Sequence, residues 1–97
     1  MTNIENLDKA FESRVRLGIM SVLNSAGQAD FHTLKSLLGV SDGNLASHIK
    51  ALEKLGYIET IKQFIHRKPN TSYAVTESGR KAFSAHIDAL CSILRIK

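Results

Sequence analysis

Val40-Ser41-Asp42-Gly43-Asn44-Leu45-Ala46-Ser47-His48-Ile49-Lys50-Ala51-Leu52-Glu53-Lys54-Leu55 is the stretch on which the fold turns. Leu45, Ile49, Leu52 and Leu55 recur at helical spacing and define one apolar side. Ser41 suits an N-cap, because its hydroxyl accepts from a backbone N–H that has no partner inside the helix. Asp42, Gly43, Asn44 and Ser47 fall at the opposite, leading end, where no bulky group blocks approach to a groove. A helix that reads DNA needs that combination. An ordinary amphipathic core helix is the competing reading, and the flanking segments bear on the choice.

Upstream, the spacing predicts a helix from about His32 to Leu38 with Leu34, Leu37 and Leu38 facing the core. Gly39 ends it and Val40 fills a short turn before Ser41, a connection of the helix-turn-helix kind. Ala29-Asp30-Phe31 is long enough only for a single sheet bridge. Before it, a helix from Ser13 to Ala26 places Phe11, Val15, Ile19, Val22, Leu23 and Ala26 on the core arc, with Leu17 and Met20 off it. So wide an apolar circumference implies a helix covered on two sides, the second cover being another subunit or the C-terminal helix. Ile4, Leu7 and Phe11 suggest a short leading helix.

Downstream, Gly56 closes the central helix and Tyr57 to Ile65 is rich in strand-forming residues. Its alternation is imperfect, since Ile58 and Phe64 share one parity while Ile61 and Ile65 have the other. A bulge or strong twist would explain that. His66 to Asn70 is expected as a turn, Ser72 to Val75 as the returning strand, and Thr76 as the N-cap of a last helix running to about Ile96. The order α-β-α-α-β-β-α makes a mainly α protein with a small β-sheet, an α+β winged helix-turn-helix.

The remaining bounds are compositional. A chain of 97 residues forms one domain with a modest core, taken as 1–97. No apolar run is long enough to span a bilayer, and Met1 to Leu7 lacks a basic leader, so the expected location is cytoplasmic and no membrane partner is expected. Cys91 has no second cysteine to pair with, and is either an inert buried thiol or a redox sensor. His32, His48, His66 and His86 lie on four different elements, so neither a metal nor a cofactor is expected. No nucleophile elbow, phosphate loop or carboxylate pair points to an enzyme. A net charge of +4 favours a polyanionic partner.

Several segments carry a family resemblance: Arg16-Leu17-Gly18-Ile19-Met20, Phe31 with Leu34-Lys35, Ser41-Asp42-Gly43-Asn44-Leu45 with His48-Ile49-Lys50, Gly56-Tyr57-Ile58, Lys68-Pro69 with Thr71, and Thr76-Glu77-Ser78-Gly79-Arg80. Over roughly residues 13 to 85 they resemble the stand-alone winged-helix DNA-binding domains related to the MarR and ArsR repressors. That resemblance implies a dimeric transcriptional regulator without a separate sensor domain. Many relatives carry Arg or Lys where this chain has Ser47.

DNA binding divides into holding phosphates and reading base edges. Ser41, Lys50, Lys62 and Lys68 suit the first task. Asn44 and Ser47 suit the second, with Asp42 and His48 as further members and Gly43 allowing close approach. Arg67 at the wing tip can enter a neighbouring minor groove, although charged turn residues also serve solubility. Phe83, Ile87, Leu90 and Leu94 follow a four-three-four spacing, as in a helix seam, and with Ile4, Leu7 and Leu17 form the expected homodimer contact. The N-terminal segment 1–12 and the last helix, 76–96, would contribute to it. No convergent polar set argues for a small-molecule effector. The sequence thus points to a sequence-specific regulator on double-stranded DNA, with a protein-interaction module or a non-specific architectural binder as alternatives.

Overall fold

The computed structural model describes residues 4–94. Two single 3-10 turns, Ile4–Asn6 and Lys9–Phe11, take the place of the expected leading helix and precede α1 (Arg14–Ala26). Then come β1 (Gln28–Asp30), α2 (Phe31–Leu38), α3 (Asp42–Lys54), β2 (Ile58–Ile65), β3 (Lys68–Val75) and α4 (Glu77–Leu94). The strands form one antiparallel sheet in the order β1-β3-β2. The expected run of the last helix to Ile96, and positions 1–3 of the expected dimerisation segment, lie outside the described residues.

Side chains that cap exposed N–H groups set the helix starts. Ser13 Oγ accepts from the Arg16 N–H at 3.3 Å, Asp30 Oδ1 from Thr33 at 2.7 Å, and Ser41 Oγ from Asn44 at 3.2 Å. The Thr33 N–H stabilises the ionised Asp30 carboxylate and lowers its pKa. Between α2 and α3, Gly39 takes a left-handed conformation with φ 62°, and its N–H returns to the Lys35 carbonyl at 2.9 Å. That conformation strains a residue with a Cβ, which is why glycine ends α2 and frees the chain to turn.

The core is built around α1, which meets α2, α3 and the sheet. Ile19, Met20, Leu23, Leu34, Leu45 and Leu52 are fully buried. Met20 therefore corrects the expected core arc, whose centre runs through Ile19, Met20 and Leu23, with Val15 and Val22 half-buried and Ala26 exposed. Leu17, also expected off the arc, is half-buried against the core. Elements of the same chain cover α1 on both sides: on its Gly18 side the Leu38 side chain stands 2.6 Å from where a Cβ would be. Leu37, 64% exposed, and Leu55, 50% exposed, are not core residues. In the two-turn α2, Leu34 and Leu38 share one face and Leu37 falls off it, while Leu55 is the C-cap beyond the apolar face of α3.

β2 and β3 pair one-to-one from Ile58↔Val75 to Ile65↔Lys68, with no bulge. The broken parity in the sequence has another cause: the outer half of the hairpin projects past the body, where Phe64 and Ile65 have no core to face. The turn is also tighter than the expected five residues. Only His66 and Arg67 form it, both at positive φ (52° and 67°), as a type I′ turn requires. Pro69 and Asn70 belong to β3, at a level β1 does not reach, so proline there interrupts no second ladder.

Candidate nucleic-acid interface

With Leu45, Ile49 and Leu52 buried, the helical repeat turns the other side of α3 outward. Ser41, Asp42, Gly43, Asn44, Ala46, Ser47 and Lys50 are all exposed. The sequence-derived set at the leading end of this helix is thus brought together on one surface. Small side chains dominate it and leave the backbone open to close approach.

Two contacts on this surface join residues of different helices. His48 is half-buried, and its Nδ1 accepts from Arg16 Nε–H of α1 at 3.0 Å. Burial, and then the Arg16 charge, lower the His48 pKa, so the ring is held neutral. With Nδ1 accepting, the proton sits on Nε2, which leaves that nitrogen a donor. Asp42 Oδ1 pairs with Lys35 Nζ of α2 at 2.8 Å. The carboxylate suits the positive end of α3, and Lys35 offsets a charge that would repel phosphate. Lys35 and Arg16 are the members of this surface missing from the sequence-derived set. Helical spacing pairs neighbours, and it cannot pair residues from different helices.

The second group lies on the hairpin. Lys62, Arg67 and Lys68 are exposed, and no carboxylate occurs between Thr60 and Thr76. The hairpin base is tied to α3 by the Thr60 hydroxyl, which donates to the Glu53 carboxylate. On its other side the base is tied to α4. Thr76 Oγ1 accepts from the Gly79 N–H at 2.9 Å and donates to the Gly56 carbonyl at 2.6 Å, while the Thr76 N–H reaches the Tyr57 carbonyl at 3.0 Å.

The residues expected at a dimer contact occupy a third region. Ile4 is 72% exposed and Leu94 58%, whereas Leu7, Ile87 and Leu90 are half-buried. Phe83 packs edge-on against Phe11 of its own chain, with centroids 5.5 Å apart. On α4, Gly79, His86 and Ala89 are the buried positions, so the apolar stripe lies beside that face rather than on it. His86 Nδ1 accepts from the Asp8 N–H at 3.0 Å, and Asp8 Oδ2 accepts from the Tyr57 hydroxyl at 2.8 Å. That bond to a carboxylate, with burial, raises the Tyr57 pKa. Asp8 and His86 thereby latch the N-terminal segment onto α4 and the hairpin base. Cys91 is a half-buried free thiol.

Among the described residues, no group of three or more His, Cys, Asp or Glu is placed to hold a metal ion. No described helix is long and apolar enough to cross a membrane. Residues 15–94 match the sequence model of a family described as winged helix DNA-binding domain. The chain belongs to that winged-helix family. Several of the solved structures that it resembles are described as transcriptional regulators or their homologues. A transcriptional regulator homologue from Pyrococcus horikoshii is 30% identical with a TM-score of 0.79, over 95% of this chain and 96% of that one. An uncharacterised protein from Methanocaldococcus jannaschii is 39% identical over 79 residues, 81% of this chain and 86% of the relative. A transcriptional regulator from Thermotoga maritima, at 19% identity and a TM-score of 0.73, covers 86% of this chain and 58% of its own and shares the fold.

Proposed function

We propose that this winged-helix protein is a sequence-specific regulator that binds double-stranded DNA as a homodimer, with helix 41–55 in the major groove and wing 65–71 beside the minor groove. The observation that carries this is the open leading end of α3, where Asn44 and Ser47 stand exposed on a helix fixed by its buried opposite face. Asn44 pairs bidentately with adenine and Ser47 contacts either purine or pyrimidine edges, while Asp42 and His48 border the same surface. Ser41, Lys50, Lys62 and Lys68 hold phosphates, and Gly43 lets the backbone approach them. Arg67 at the wing tip faces the flanking minor groove.

Two copies meet, on this proposal, through Ile87, Leu90 and Leu94 of α4 with Ile4, Leu7 and Leu17, and with Phe83 at the inner margin. The apolar stripe of α4 lies beside its packed face, and Ile4 and Leu94 are left in water by the single chain. Dimerisation covers them and sets the spacing of two recognition helices, about 34 Å for successive major grooves.

Selection of bound fragments from the source genome, followed by titration of labelled duplexes at several salt concentrations, tests this. A pseudo-palindromic site bound at least about a thousandfold more tightly than random duplex supports it. Equal affinity for all sequences makes the protein an architectural binder, and no affinity at physiological salt makes it a protein-interaction module.

A further inference from the structure

One-to-one pairing places Ile58, Thr60, Lys62 and Phe64 of β2 on the same sheet face as Val75, Tyr73, Thr71 and Pro69 of β3. Near the body this is the packed face: Ile58 and Tyr73 are buried, and Thr60 bonds to Glu53 of α3. Farther out, on that same α3 side, the Phe64 ring is 77% exposed opposite the ring of Pro69. An aromatic group left in water forgoes the burial that drives the rest of the fold. Charge identifies what covers it. Beyond Thr60 the hairpin carries Lys62, Arg67 and Lys68 and no carboxylate, so the complement is a polyanion that also offers apolar surface. The minor groove has both, with phosphates on its rims and deoxyribose C–H groups along its walls.

We infer that Phe64 and Pro69 lie against the deoxyribose wall of the minor groove flanking the bound site, while the three cations around them take its phosphates. This rests on the DNA-binding function proposed above and adds to it a contact that salt does not weaken. Basic residues hold the wing to any duplex. The apolar pair grips only where the groove walls are close enough to touch both rings.

The protein contains no tryptophan, so Phe64→Trp introduces a single indole reporter at an exposed position. Binding is followed by the anisotropy of a labelled duplex, and indole exposure by acrylamide quenching. Saturating duplex is expected to lower the quenching constant several-fold. Phe64→Ala is expected to weaken binding about tenfold while leaving the slope of log affinity against log salt unchanged, whereas Lys68→Ala makes that slope shallower by about 1. An indole equally open to acrylamide while anisotropy reports full binding would overturn the inference and leave the DNA-binding function standing. Absence of any anisotropy change with the wild-type protein would overturn both. Shielding that grows with protein concentration without DNA would assign Phe64 to a contact between copies, and so would also overturn it.

Discussion

A methyl group on Gly79 would lie 2.0 Å from the Tyr57 carbonyl oxygen and 2.7 Å from its carbon. Those are backbone atoms at the hairpin base, with no side-chain torsion to move them aside. Gly79→Ala should destabilise the protein by about 3 kcal/mol, seen as a lower urea midpoint, although alanine is the better helix former. Gly18→Ala is the control. Its nearest neighbour is the end of the flexible Leu38 side chain, and the change should stay within about 1 kcal/mol. His48 gives a pH signature. Its neutral ring accepts from Arg16, and burial followed by the Arg16 charge holds its pKa below the ordinary value of 6.5. Between 6.5 and that lowered value the unfolded chain binds more protons than the folded one, so this residue's contribution is complete above 6.5 and declines as pH falls through the window. Urea midpoints of wild type and His48→Asn should therefore converge toward acid pH. Asn44→Ala should lose about 1 to 3 kcal/mol on the preferred site and little on random DNA, while Lys68→Ala weakens both alike. Equal losses on both DNAs for Asn44→Ala would remove it from base reading.

At the scale of elements, the wing separates two kinds of recognition. Arg67 stands in the two-residue turn at the tip of the hairpin. Narrow A·T-rich flanks concentrate negative potential, so the wild type should bind them more tightly than G·C-rich flanks. Arg67→Ala should flatten that preference and leave the central base preferences intact, measured by competition between duplexes differing only in their flanks. The order of elements was legible in the sequence because glycines, caps and periodicity mark each boundary locally. Ser41 is an N-cap by residue type alone, and it caps α3 as expected. Burial was less legible. Met20 is covered because α1 is packed from several directions, a property of the assembled fold rather than of one helix's own period. Likewise, Phe64 and Ile65 looked like a parity error until the pairing showed them beyond the body. The groups around the candidate interface divided in the same way: the exposure of Ser41, Asp42, Gly43, Asn44 and Ser47 follows from spacing, while Arg16 and Lys35 reach them from other helices.

For the molecule as a whole, the test of assembly lies on α4. Leu90 is half-buried in the single chain, in the stripe proposed to meet its counterpart. Leu90→Glu should split the dimer, because two carboxylates would be desolvated against each other across a two-fold contact. Light scattering should give about twice 10.7 kDa for the wild type and 10.7 kDa for the variant; a wild type of the smaller mass at micromolar concentration would reject the homodimer.

The close approach of Gly79 to Tyr57, together with the hydrogen bonds of Thr76 to Gly56, Tyr57 and Gly79, also fixes an elbow between the hairpin and α4. The arms on either side are nearly equal: 18 helical residues span about 27 Å and eight strand residues about 26 Å. At the joint, backbone sits on backbone, so the angle between the arms is held by atoms that no side-chain rotation can move aside. Any side chain at position 79 would have to open that angle, so this glycine acts as the gauge that sets the pitch of the wing against the last helix.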